Sequence, residues 1–161
     1  MSETKPLIQG EFSRKLDDRW RLSIPGEILE RFRPENGDCI VAKEQPGCIS
    51  LWSKEDWGEK MADQVALIEQ RLKLHQLDQK IPQLQTLGRL LSTRQRPVQM
   101  AERGRVQIPE GFREFLKVEE KGEVMVIGAG VCVEIWNPTE WVKYVEENMQ
   151  HFQETFAALA G

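Results

Sequence analysis

Long apolar runs are missing from this chain. The longest, residues 124–133, covers ten positions and is interrupted by Gly128 and Gly130. A membrane-spanning helix needs about 20 apolar residues, so no span is expected, and residues 1–10 hold no apolar stretch of signal-peptide length. Histidine is scarce: His75 and His151 are the only two, both in helix-like stretches and neither near a cysteine or carboxylate cluster. No HExxH, CxxC, GxSxG or phosphate-loop pattern occurs. Catalysis is therefore not expected, and neither is a cofactor or metal, since a zinc site wants three or four Cys/His ligands close together. The three cysteines, Cys39, Cys48 and Cys132, are odd in number and widely spaced, each inside an apolar strand-like run. That is a reduced, cytoplasmic pattern.

What the chain does contain is a core and a segregated charge. An apolar share of 40% and a charged share of 30% in 161 residues suit one ordinary globular domain or two small fused ones. The net charge of −4 argues at first against a nucleic-acid partner. Its distribution argues the other way. Residues 89–113 carry Arg89, Arg94, Arg96, Arg103, Arg105 and Arg113 against Glu102 and Glu110, a balance of +4. Residues 114–161 carry nine glutamates against Lys117, Lys121 and Lys143, a balance of −6. Residues 10–33 come to +1. Local fields rather than totals decide phosphate binding, although such segments can also neutralise one another inside the protein.

The chain also repeats itself. Shifting the numbering by 84 brings Arg19 onto Arg103, Arg21 onto Arg105, and Ile24-Pro25 onto Ile108-Pro109 without a gap. In the same register Cys48 meets Cys132, Trp52 meets Trp136 and Trp57 meets Trp141. Two tryptophan pairs and two Arg-x-x-Ile-Pro runs in one register indicate a duplication.

Each copy reads alike. Residues 11–16 alternate as a strand, 17–20 turn, and 21–24 form a second strand ended by Pro25. A short helix follows over 26–33 with Ile28, Leu29 and Phe32 inward, then strands at 39–42 and 48–52 separated by Pro46-Gly47. The second copy repeats this at 96–100, 105–108, 110–116, 123–127 and 131–136. Ser53 and Asn137 are expected N-caps of a long helix closing each copy, with Pro138 at the first helical position. Trp52 with Trp57, and Trp136 with Trp141, then sit at hydrophobic-staple spacing, though ligand stacking by these rings is a second possibility. The first long helix presents Trp57, Met61, Val65, Ile68 and Leu72 as one stripe, with Pro82 breaking it before a further short helix. The last, 138 to about 158, presents Trp141, Val145, Met149, Phe152 and Phe156. Such stripes bury against their own domain more often than against a partner, but two on so small a module leave room for subunit contacts.

The remaining chemistry lies around the paired arginines. Arg19, Arg21 and Ser23 share one strand parity, with Leu22 and Ile24 on the other; Arg103, Arg105 and Gln107 repeat this against Val106 and Ile108. Side chains alternate faces on a strand, so two guanidinium groups and a hydrogen-bonding side chain project together, twice per chain. Arginine forks engage phosphate oxygens or the O6/N7 edge of guanine, and a two-stranded ribbon fits a major groove. The competing reading is that these arginines simply pair with Asp17, Asp18 or Glu102 on a solvated hairpin. Arg14 and Lys15, from the preceding strand, complete the candidate set.

At these residues the sequence resembles the MraZ family, within the larger group of swapped-hairpin AbrB-type folds. The family pattern is an Asp, two residues, a Gly, an Arg, then apolar–polar–apolar–Pro. It is similar to Asp17-Asp18-Arg19-Trp20-Arg21-Leu22-Ser23-Ile24-Pro25 and to Ala101-Glu102-Arg103-Gly104-Arg105-Val106-Gln107-Ile108-Pro109. Leu87-Gly88-Arg89-Leu90-Leu91 and the tryptophan-bearing ends of both copies extend the likeness over nearly the whole chain from about Gly10.

The resemblance implies an α+β fold of two tandem, pseudo-symmetric swapped-hairpin β modules around a small barrel-like core. Short helices, and a long helix after each copy, complete it. The expected boundaries are 1–9 for a flexible N-terminus, 10–57 and 93–141 for the modules, 58–92 for a helical connection and 142–161 for a C-terminal helix. It also implies a cytoplasmic, nucleoid-associated repressor that needs no cofactor. Such a protein would bind double-stranded DNA at direct repeats upstream of the division and cell-wall genes, as a closed homo-oligomeric ring, often octamer-like. The family's DNA-contacting Asp-x-x-x-Arg residues carry onto Asp17 and Arg21, and in the second copy onto Arg105 alone.

Two departures stand out. Trp20 occupies the usual Gly position, so the first turn is expected to avoid a positive φ, the ring packing or stacking on a sugar or base. Ala101 replaces the Asp, so Arg105 lacks an orienting carboxylate. Either the DNA site differs or one hairpin has become structural. The rival functions are a ring that has lost DNA binding and an antitoxin-like AbrB regulator.

Overall fold

The computed structural model describes residues 5–161. The elements are β1 (Ile8–Lys15), β2 (Arg21–Ser23), α1 (Gly26–Leu29), β3 (Asp38–Gln45), β4 (Cys48–Ser53), α2 (Lys54–Lys73), α3 (Ile81–Arg94), β5 (Gln95–Gln99), β6 (Arg105–Gln107), α4 (Phe112–Leu116), β7 (Glu123–Gly130), β8 (Val133–Trp136), α5 (Pro138–Asn148) and α6 (Phe152–Ala160). The fold is α+β. Six antiparallel strands form one open sheet in the order β1-β7-β8-β4-β3-β5, and β2 pairs with β6 as a separate ribbon.

The two copies interlock. Strand β1 pairs with β7 of the second copy, and β5 of the second copy pairs with β3 of the first. The sheet order is symmetric about the β4–β8 seam, where Ser50 faces Glu134. In the ribbon Leu22 faces Val106. Each of these pairs joins positions 84 apart, so a pseudo-twofold axis passes through both. Strand exchange explains why a 70-to-80-residue copy need not stand alone: a unit of that size is marginal, and here each copy completes the other's sheet.

Apolar runs on both parities of the inner strands mark a sheet buried on both faces. On one face Val41, Ile49, Leu51, Val124, Val126, Val133 and Ile135 pack with Leu22, Val106, Ile28, Phe32, Phe112 and Leu116 in a single core. The ribbon and short helices thus enclose that face, rather than the sheet closing into a barrel. The other face holds two smaller clusters, Ile40, Ala42, Trp52, Trp57 and Cys132, then Cys48, Ile127 and Trp136. Its polar atoms are partnered: Trp52 Nε1 donates to Ser50 Oγ at 2.9 Å, and Trp136 Nε1 to Glu134 Oε1 at 2.9 Å. Burial pushes the Glu134 carboxyl up from its ordinary range. All three cysteines are free and buried, and that burial pushes the Cys39 and Cys132 thiols up to about 12 and Cys48 further.

The long helices begin as expected. Ser53 Oγ accepts the Asp56 N–H at 3.1 Å, and Asn137 Oδ1 accepts those of Thr139 and Glu140 at 2.9 and 3.3 Å. The staple rings meet, Trp52–Trp57 edge to face at 5.8 Å and Trp136–Trp141 tilted at 5.2 Å between centroids. Their ends differ from expectation. α2 stops at Lys73, and Pro82 lies in the first turn of α3, where its missing N–H costs nothing; it starts a helix instead of breaking one. The C-terminal helix is interrupted by a 3₁₀ turn at Met149–His151. The stripes are buried only near their origins. Beyond Met61, Val65 and Leu72 are exposed, and Met149 and Phe156 are 63% and 61% exposed. Of the N-terminal stretch expected to be flexible, residues 1–4 lie outside the described residues, while Ile8 is buried and already paired with Gly130.

Candidate nucleic-acid interface

The ribbon places the arginine strands side by side. Arg21 pairs with Gln107, Leu22 with Val106 and Ser23 with Arg105. Because side chains alternate, Leu22 and Val106 enter the core while Arg21, Ser23, Arg105 and Gln107 share the outer face. The sequence suggested two separate displays per chain. Strand exchange merges them into one, with a guanidinium at each diagonal corner. The ribbon is extended by Ile24 N–H donating to Gly104 O at 2.9 Å and Ile108 N–H donating to Trp20 O at 2.8 Å.

At the first turn the Asp17 carboxylate organises the chain. Oδ1 accepts the backbone N–H groups of Arg19 and Arg21, each at 2.8 Å, and Oδ2 accepts Arg21 Nε at 2.8 Å. These bonds hold the Asp17 carboxyl below the usual carboxylate range, the Arg21 backbone N–H contributing most. The pairing expected as the competing reading therefore exists, but it does not bury the arginine. The side chains of Arg21 and Asp17 remain 35% and 38% exposed, and only Nε is engaged. Gln107 Nε2 donates to Arg19 O at 2.8 Å.

The expectation that Trp20 would exclude a positive φ is wrong: Trp20 has φ 61° and its counterpart Gly104 has φ 74°. A left-handed residue without glycine costs roughly 1–3 kcal/mol, and neighbours offset it. The Trp20 ring packs at the edge of the core, with the Arg113 guanidinium 5.1 Å from its centroid; that position favours packing for Trp20. Arg113 is the counterpart of Leu29, and a Cβ on Gly104 would come within 2.7 Å of Leu29 Cδ1. Glycine therefore faces the leucine, and tryptophan faces the arginine.

The second turn closes on equivalent backbone hydrogen bonds but takes a different path, with Arg103 at φ 65° where its counterpart Arg19 has no positive φ, and it has fewer side-chain fastenings. Ala101 N–H donates to Arg105 O at 2.8 Å, as Asp17 N–H does to Arg21 O at 3.0 Å. Among the described residues the guanidinium groups of Arg105, Arg103 and Arg19 have no hydrogen-bond or ion-pair partner, and all three residues are exposed. Arg14 and Lys15 stand apart from the ribbon face, at the end of β1. Arg14 lies over the Phe12 ring at 5.8 Å, and Lys15 is opposite Glu123. Sequence reasoning missed Arg113 as a support of the first turn; its register with Leu29 was the available signal. His75 and His151 are exposed beside Asp78 and Glu154.

A family model described as "MraZ protein, putative antitoxin-like" matches residues 94–160. Over most of its length the chain is similar to proteins named transcriptional regulator MraZ. That of Alkaliphilus oremlandii (strain OhILAs) is 30% identical over 149 residues, covering 92% of this chain and 93% of the relative. Those of Desulforamulus reducens and Treponema denticola are 28% and 25% identical, covering 92% and 94% of this chain and 94% and 96% of theirs. With the duplicated register and the arginine ribbon, this coverage shows that the chain belongs to the MraZ family.

Proposed function

We propose that this protein is a transcriptional regulator that binds double-stranded DNA through the β2–β6 ribbon. The observation that carries the reading is the convergence of Arg21, Ser23, Arg105 and Gln107 on one solvent face over a buried core. A two-stranded ribbon is narrow enough for the major groove, and arginine forks suit both guanine edges and phosphates. The ribbon forms without any second chain, so each subunit carries a complete contact.

One ribbon is a small footprint, and affinity is then supplied by assembly. The exposed Val65 and Leu72 on α2, and Met149, Phe152 and Phe156 around α6, leave apolar surface uncovered within the chain. The acidic C-terminal segment and the arginine-bearing α3 are complementary in charge. This supports a homo-oligomeric ring whose ribbons engage direct repeats upstream of the protein's own gene cluster. After the first contact, the later ones are intramolecular. The role is that of a cytoplasmic, nucleoid-associated repressor.

The test is fluorescence anisotropy with a duplex from upstream of the gene, together with light scattering. Arg21→Ala and Arg105→Ala each weaken binding without changing the helical circular-dichroism signal, and affinity falls by about 0.9 log units per neutralised phosphate per decade of salt. Both variants binding as well as wild type would refute the assignment. An assembly that forms but binds no DNA would favour a protein-interaction ring.

A further inference from the structure

The two ends of the ribbon share their backbone hydrogen bonds and differ in turn conformation and in how their arginines are held. An exact twofold ribbon would present identical ends and read an inverted pair of half-elements. Here the strand pairing keeps the symmetry, and the turn conformation and the side chains break it. At the first end, Asp17 fixes Arg21 through its Nε and its backbone N–H, and accepts the Arg19 backbone N–H as well. Gln107 ties the turn at Arg19 O, and Arg113 supports Trp20 from below. At the second end Ala101 offers no carboxylate. Ser23, the counterpart of Gln107, is too short for the equivalent bond, and the Arg105 guanidinium is unpartnered among the described residues.

A guanidinium held through Nε keeps its two Nη groups facing outward as a fixed fork, the geometry that discriminates guanine O6/N7 from other base edges. A guanidinium on a free side chain adapts its position, which suits a phosphate and carries little sequence information. Resting on the DNA-binding reading above, we infer that Arg21 reads a base edge while Arg105 grips the backbone. Each ribbon then recognises an element with a direction, specified at the Asp17 end and anchored at the Ala101 end. Successive ribbons take the same orientation along the duplex.

Lysine keeps the charge and loses the fork, so it separates the two roles. Anisotropy titrations of the full chain use the upstream duplex and a scrambled duplex of equal length, with circular dichroism to confirm folding. Arg21→Lys lowers the ratio of the two affinities by about tenfold or more and leaves scrambled-duplex binding and its salt slope within twofold of wild type. Arg105→Lys leaves the ratio within twofold. In an Ala101→Asp background, which supplies the missing carboxylate, Arg105→Lys becomes costly to the ratio. Equal losses from the two lysine variants, or a loss confined to Arg105→Lys, would overturn the division of roles while leaving DNA binding intact. Wild type binding both duplexes alike would overturn it too. Wild type binding neither would remove the DNA-binding reading with it.

Discussion

Trp57 and Trp141 hold the same place in the two halves of the molecule, and both reach across to the other half. Trp57 Nε1 donates to Gln95 on β5 and Trp141 Nε1 to Glu11 on β1, each at 2.9 Å. Glu11 and Gln95 are themselves 84 apart, so duplication preserved the contact while its acceptor changed. The surroundings have diverged. Trp57 is 4% exposed, flanked by Trp52, Lys60 and Arg94, whereas Trp141 is half-buried and stacked on Tyr144 at 5.9 Å. The turns show the same pattern, with Gly104 matched to Leu29 and Trp20 matched to Arg113. Because the copies interlock, a change in one half is answered in the other, and the asymmetry comes in complementary pairs.

The largest test of that comparison is the tryptophan pair. Trp57→Ala should destabilise by about 3 kcal/mol or more, as for a fully buried ring, and Trp141→Ala by roughly half as much, read from urea midpoints at constant slope. Equal losses would mean the two helix origins are equally buried in solution. A smaller effect is expected at the turns. Gly104→Ala should cost about 1–2 kcal/mol through the left-handed backbone and the Leu29 contact. Trp20→Gly should change stability by less than about 1 kcal/mol, since relief of φ offsets the lost packing on Arg113. A costly Trp20→Gly beside a harmless Gly104→Ala would reverse the proposed matching.

The smallest effect concerns Asp17 and pH. Its carboxyl is depressed in the folded protein, so its contribution is present above the unfolded-state value and is lost as pH falls through the lower, folded one. Asp17→Asn should therefore lie below wild type in melting temperature at neutral pH. The gap should close only at pH below the ordinary carboxylate range, and Ala101, with nothing to titrate, gives the second turn no such dependence. A gap that persists unchanged into strong acid would mean that the carboxylate's charge does not hold the turn.

Much of this was legible in the sequence. The 84-residue register, the caps at Ser53 and Asn137, the tryptophan staples and the outward parity of Arg21, Ser23, Arg105 and Gln107 follow from local chemistry and period. Which strand pairs with which was not legible, because alternation fixes the face a side chain takes and not its neighbour. That is why two expected arginine displays became one ribbon. The φ of Trp20 was hidden for a related reason: local steric preference disfavours it, and the packing that offsets it comes from Arg113, distant in sequence. The helix stripes left Val65, Leu72 and Phe156 open between burial and subunit contact, since a period of 3.6 marks an apolar face without saying whether the same chain covers it; within the chain they are exposed.

Contact between the outer face of the β2–β6 ribbon and the duplex is tested most directly by photo-crosslinking. With p-benzoylphenylalanine placed at Ser23, between the two arginines, irradiation with the upstream duplex should give a covalent protein–DNA adduct. The same group at Glu146 on α5 should give none. Adducts of equal yield from both positions, or from Glu146 alone, would contradict the account.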